Sequence, residues 1–330
     1  MSAALAASTS AHGTVTKVVG ANGVEMPGIC VADGTPRDCS SNACGSQADT
    51  CIIRDNEIRS GKVGPLGRTQ GAGNIDAAVK ISAFMGAGGA DAGKVPTNKG
   101  ASGAVGKEDD LSALQNQPRR QRREKSKRQL GQLGQLGQLG QLSGGAGGLG
   151  GLLEGDAGAG GLGGLLGGGA ARGAAGTKQR NAAPESMVAD TAGSGASKGL
   201  PTADNNGVLT MKYLQVNQDG AGPLTADCDG TSGGKDPQAF QKAQVIQNVP
   251  GLFAGISTAT TTEFDVKVQM PPGMTCDAKV GGAENVCICR VRNKTPAGPF
   301  GGSAAFTQTP AARKRAIAFR LKKRMELGRD

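Results

Sequence analysis

Bulky aromatic side chains are nearly missing from this chain. Its 330 residues include no tryptophan, one tyrosine (Tyr213) and seven phenylalanines. Aromatics usually dominate core burial, so any core must be modest and built from Val, Ile, Leu, Met and a few Phe. The same shortage weakens readings that need exposed rings, such as polysaccharide platforms and single-strand nucleic-acid stacking. Histidine occurs once, at His12, and no two cysteines have the C-x-x-C spacing. Cys/His zinc-finger and thioredoxin-like readings are therefore poor, and a Ser-His-Asp triad would have to recruit His12. No stretch reaches the ~18 apolar residues of a membrane span. The glycine-rich segments lack GxxxxGK[ST], so they are not phosphate cradles.

What the chain does have is glycine, 57 residues, and an even set of cysteines: Cys30, Cys39, Cys44, Cys51, Cys228, Cys276, Cys287 and Cys289. Four of the eight fall in Gly28–Cys51, GICVADGTPRDCSSNACGSQADTC, among turn formers such as Asp33-Gly34, Pro36 and Ser40-Ser41-Asn42. That stretch has little apolar surface to pack, so cross-links are expected to hold it. The set reads as a disulfide framework made in an oxidising compartment, with the pairing open. Cys287 and Cys289 share a strand face if Cys-Ile-Cys is extended, so each needs a partner elsewhere. Met1–Ala11, MSAALAASTSA, reads as a residual signal peptide ending at a small-residue cleavage site, a plain flexible terminus being the alternative. Secretion, and a mature chain beginning at His12, are the expectation.

The net charge of +10 is localised. Residues 101–200 carry twelve basic and eight acidic groups, and residues 310–330 carry eight and two, which accounts for the whole excess. The remainder is balanced, and no nucleic-acid partner is implied.

Read in order, His12–Val19 is β-branched and strand-like, with a turn at Ala21-Asn22-Gly23. Asn74–Phe84 fits helix or strand. Residues 101–203 read as a disordered, low-complexity insert. Within it are a basic run at Pro118–Arg128, Gln-Leu-Gly repeats over Gln129–Gly140, and GGLGGLL at both Gly147–Leu153 and Gly160–Leu166. Lys127-Arg128 is either a dibasic processing site or a solvated charge run; after any cut, disulfides are expected to keep the two halves joined. Order is expected again near Asn206. Strands follow at Leu209–Val216, Ala243–Val249, Thr262–Met270 and Val286–Val291, with Asp227–Gly230 as a loop. The alternation Phe264, Val266, Val268, Met270 marks a half-buried strand. The predicted fold is mainly β: a disulfide-linked antiparallel β-sandwich, its halves at residues 12–100 and 204–309 divided by the Gly/Leu-rich insert. Residues 310–330 form a basic helical tail in which Ile317, Leu321 and Met325 make a thin stripe. A solvated helix is expected there, a surface-seeking one being the alternative.

Chemistry is thin. A terminal His12 would offer an α-amine and a ring nitrogen to copper, but that chemistry ordinarily needs a second imidazole, which the chain lacks. The pairs Asp227/Asp229, Asp109/Asp110 and Glu263/Asp265 do not mark an acid/base couple. No catalytic residue and no cofactor are expected, copper at His12 excepted as the alternative. Asn293-Lys294-Thr295 is an N-glycosylation sequon.

His12-Gly13, the cysteine block at 28–51, GRTQGAGNIDAAVKIS at 67–82, FDVKVQMPPGMTC at 264–276, VCICRVRN at 286–293 and AGPFGGSAAFTQ at 297–308 carry a resemblance. Together they resemble the fungal appressorium-associated secreted proteins, the Gas/Mas type of infection-related protein. The resemblance covers both expected halves and not the Gly/Leu insert. It implies an extracellular protein made during host penetration, with the host surface or fungal cell-wall components as partners. A distant likeness to the β-sandwich of copper monooxygenases would suit His12, and the missing second histidine departs from the copper site of that group. The expectation is a structural or interaction role. The alternatives are a copper-dependent oxidative enzyme on polysaccharide and a non-catalytic polysaccharide-binding module.

Overall fold

Every second residue of Thr262–Gln269 is buried, as its apolar alternation demands. This strand (β11) lies between Val208–Gln215 (β8) and Gln241–Gln247 (β10). The computed structural model describes residues 12–87, 95–98, 175–252, 255–295 and 298–327. The expected signal peptide at 1–11, Asp109/Asp110, Lys127, Arg128 and the repeats of the expected insert lie outside the described residues.

The other strands, in chain order, are Gly13–Val19 (β1), Glu25–Pro27 (β2), Cys51–Ile52 (β3), Arg68–Thr69 (β4), Gly73–Asn74 (β5), Gly176–Lys178 (β6), Thr202–Ala203 (β7), Thr225–Asp229 (β9), Ala278–Val280 (β12), Ala283–Arg292 (β13) and Phe300–Gln308 (β14). One hydrogen-bonded path runs β2-β1-β8-β11-β10-β9-β13-β14-β3-β4-β5. Pairing is antiparallel throughout, except where β7 joins β14 in parallel. The path curls at β10: Gln241–Ala243 pair with β9, whereas Gln244–Gln247 pair with β11 across a bulge. The curl brings β1 against β14, where Ile29 donates its N–H to the Ser303 carbonyl.

Two apolar layers result. Inside the curl, Val15 and Val18 meet Met211, Tyr213, Phe264, Val266, Cys289, Val291 and Phe306. Outside the β13–β14 pair, Val286, Ile288 and Ala305 meet Cys30, Cys51, Leu66, Ile81 and Phe84. Strands β13 and β14 are thus covered on both faces. The mainly β, antiparallel, disulfide-bonded fold read from the sequence is what the chain forms.

The helices among the described residues are Asp55–Arg59 (α1), Ala77–Met85 (α2), Met187–Asp190 (α3), Gly195–Lys198 (α4) and Pro310–Leu327 (α5). The ambiguous Asn74–Phe84 stretch is helical because Asp76 caps it, accepting from the Ala78 N–H, and left-handed Gly86 ends it.

Four points differ from the sequence reading. Asp227–Asp229, expected as loop, belongs to β9. Strand β14 was not anticipated. Residues 176–203 already pack as β6, α3, α4 and β7, so the second half of the body begins well before Asn206. Finally, the disulfides are Cys30–Cys51, Cys39–Cys44, Cys228–Cys289 and Cys276–Cys287, with no free cysteine. Each bond stays within one half, so sheet pairing and packing, not sulfur, join the halves.

Candidate functional site

His12 sits where β1 starts, buried and facing Phe300, with ring centroids 4.6 Å apart. Its backbone N–H donates to Asn217 Oδ1 at 2.6 Å, and its carbonyl accepts from the Val216 N–H at 3.0 Å. The next residue is glycine for a steric reason: a Cβ on Gly13 would lie 2.0 Å from the Tyr213 hydroxyl oxygen. That hydroxyl donates to the Gly220 carbonyl, and burial raises its pKa. The only tyrosine therefore locks the strand start that bears the only histidine. Asn293 lies in the same corner, buried, its amide nitrogen directed at the Asp219 and Ala221 carbonyls and its oxygen accepting from the Phe300 N–H.

A second concentration of polar groups lies under the cysteine block. Arg37 donates to both oxygens of Asp49, at 3.1 and 2.6 Å, and through Nε to Glu185 at 2.9 Å. Burial works against the guanidinium charge, but the two carboxylates outweigh it and raise its pKa. Asp49 also accepts from the Ala32 N–H. Asp33 accepts from the Val188 and Ala189 N–H groups, fixing α3 against the block. Lys80, on α2, donates to the Val31 carbonyl; burial lowers its pKa to about 8 despite Asp33, Asp49 and Glu185 nearby. Sequence reasoning assigned the order of this block to disulfides alone and missed Arg37, Asp49, Lys80 and Glu185. The partners are remote in the chain, and no local pattern announces them. Beside the cluster opens a cleft of about 250 Å³ lined by Thr16, Lys17, Arg37, Glu185, Leu214 and Glu263.

The carboxylate pairs have separate roles. Asp229 is fully buried and accepts from the N–H groups of Thr231, Ser232 and Gly234. Burial would raise its pKa, yet these hydrogen bonds, with that from the Ser232 hydroxyl, hold it below the usual carboxylate range. It shapes the turn Gly230–Gly234. Asp227 pairs with Arg290 at 3.3 Å, and the guanidinium lies 4.4 Å from the Phe240 ring centre. Glu263 accepts from the Thr16 hydroxyl, and Asp265 pairs with Lys212 on β8. Among the described residues, no three His, Cys, Asp or Glu side chains are grouped so as to hold a metal ion.

Helix α5 stands apart from both clusters. Buried Ala312 seats it on the body, while Arg313 donates to the Cys276 carbonyl and Asp277, and Arg320 to the Thr275 hydroxyl. Between the helix and the Pro271–Gly273 turn is a mostly apolar cleft of about 380 Å³. No helix among the described residues is long and apolar enough to cross a membrane.

Curled antiparallel sheet, four local disulfides and buried charges that clamp loops define a disulfide-braced β protein. Its family follows from comparison with known sequences. The chain belongs to the Egh16-like virulence factors, which match over residues 10–301. It is 45% identical over 329 residues to the appressoria-specific virulence factor GAS2 of Pyricularia oryzae, covering 98% of this chain and 92% of that protein. It is also 35% identical over 128 residues to the appressoria-specific virulence factor GAS1 of the same fungus, covering 38% of this chain and 50% of that one. No solved structure matches significantly.

Proposed function

We propose that the chain is a secreted infection-related protein that acts by contact at the host interface, with the host surface or fungal wall components as partners. Family membership and the four disulfides support this reading, since such bonds persist in oxidising surroundings. The observation that carries it is how the molecule uses its buried charges. Arg37, Asp49, Asp229 and Arg290 each fasten a loop or strand to its neighbour. A rigid, cross-braced body suits durable contact outside the cell.

The test uses secreted protein, with its first residue fixed by mass spectrometry. It is incubated with cellulose, chitin and fungal wall, with and without Cu²⁺ and peroxide, beside a His12→Ala variant. The expected outcome is retention on host or wall material, equal copper binding by both proteins and no oxidised sugar. Peroxide-dependent release of oxidised sugars by the wild type alone would replace the contact role with turnover.

A further inference from the structure

Helix α5 exposes an organised face away from the body. With roughly 100° per residue, Ile317 and Met325 lie about 40° to either side of Leu321. These three are 42%, 65% and 53% exposed, respectively. Arg324 borders the stripe on one side, and Lys322 and Arg315 on the other; Lys314 lies within it near the first turn. The opposite face carries buried Ala312, half-buried Ala316 and Phe319, which rims the Pro271–Gly273 cleft while staying 46% exposed. Hydrogen bonds from Arg313 and Arg320 to Thr275, Cys276 and Asp277 anchor the helix beside the Cys276–Cys287 bond. The outward stripe is therefore held in a fixed attitude rather than on a loose tail.

We propose that α5 is a peripheral docking helix for anionic lipid bilayers. An apolar stripe rimmed by Lys and Arg is what lets a helix lie in the headgroup layer, its alkyl groups entering the acyl boundary and its cations meeting anionic headgroups. Seven basic residues stand against one acidic residue, Glu326, in Pro310–Leu327. The charge complements a negatively charged leaflet, and each cation near such a surface strengthens binding about fivefold. Nucleic acid suits the face less well, since its centre is apolar where phosphate contact needs charge. A second copy of the helix would bring two sets of cations together. The helix lies beyond residues 10–301, so this role is additional to what the family match covers.

The experiment is co-sedimentation of the intact, disulfide-bonded protein with two kinds of vesicle: phosphatidylcholine alone, and phosphatidylcholine with phosphatidylserine. Binding to the second is expected to exceed binding to the first by about tenfold or more and to fall as salt rises. Leu321→Glu, and a triple Lys322→Ser, Lys323→Ser, Arg324→Ser variant, each lose about tenfold or more. Exposed Lys62→Ser on the body binds as the wild type does. All the substituted side chains are exposed, so thermal melts matching the wild type separate lost docking from lost folding. Equal binding to both vesicles, wild-type binding by Leu321→Glu, or a preference for duplex DNA that survives Leu321→Glu would overturn the proposal.

Discussion

Lys80 places its ammonium on the Val31 carbonyl, with Asp33, Asp49 and Glu185 near enough to offset only part of the cost of burial. Its pKa falls to about 8 in the folded protein, from about 10.5 in the unfolded chain. Between those values the unfolded chain binds the proton that the folded protein has lost, so stability rises with pH across that window. Denaturant titrations at stepped pH should show this rise in the wild type and a flatter profile in Lys80→Met. The readout is the slope, because the variant also strips the Val31 carbonyl of its donor. Asn293 gives a second residue-scale expectation. Its amide nitrogen points at two carbonyls in a buried corner, where an attached sugar has no room. Treatment of secreted protein with an N-glycosidase is expected to leave its mass unchanged. Asn293→Ala should cost about 2 kcal/mol by leaving the buried Phe300 N–H without its acceptor, seen as a lower melting temperature. A glycan at Asn293 on folded protein would contradict this placement.

At the scale of elements, legibility followed apolar content. Strands β8, β11 and β13 could be read because Met211, Tyr213, Phe264, Val266, Ile288 and Val291 carry β-favouring bulk. Strand β14 could not. Its FGGSAAFTQ is short of β-formers because both faces are covered and neighbours come very close: a Cβ on Gly301 would lie 1.9 Å from the Val291 carbonyl oxygen. Small residues there record tight packing, which a single sequence cannot distinguish from a turn. The same blindness hid β9, whose Asp227 and Asp229 look like loop residues until Arg290 and the Gly230–Gly234 turn are seen to take them up. The candidate site was less legible still. His12 and Asn293 stood out as motifs, whereas the Arg37–Asp49–Glu185 clamp joins residues up to 148 positions apart. Disulfides can be ranked at this scale. Cys228–Cys289 closes 61 residues and Cys39–Cys44 only five, so loop-closure entropy predicts about 4 kcal/mol for the first and about 2 kcal/mol for the second. Paired Cys→Ser variants should keep that order in chemical denaturation; the reverse order would show that native packing, not loop length, governs their contribution.

For the whole molecule, the local bonding changes what a cut would do. Strand β1 pairs with β8, and β14 pairs with β3, so each half completes the other's sheet. If the chain is cleaved after Arg128, the pieces are expected to co-elute as one body under native conditions. They should separate on a denaturing gel even without reductant. Pieces that stay together on the non-reducing denaturing gel would require a bond across the halves and contradict the pairing.

The Asp33–Thr35 turn has a further consequence. Asp33 accepts from Asn98, Gly34 donates to Glu185, and Glu185 in turn donates to Thr35, all through the backbone. Chain entering and chain returning are thus moored at one spot on the surface. Closing a loop between two points that already meet grows dearer by only about 0.6 kcal/mol for each doubling of the chain between them. Changing the number of Gln-Leu-Gly or GGLGGLL units is therefore expected to shift stability by less than about 1 kcal/mol, which chemical denaturation of length variants would measure.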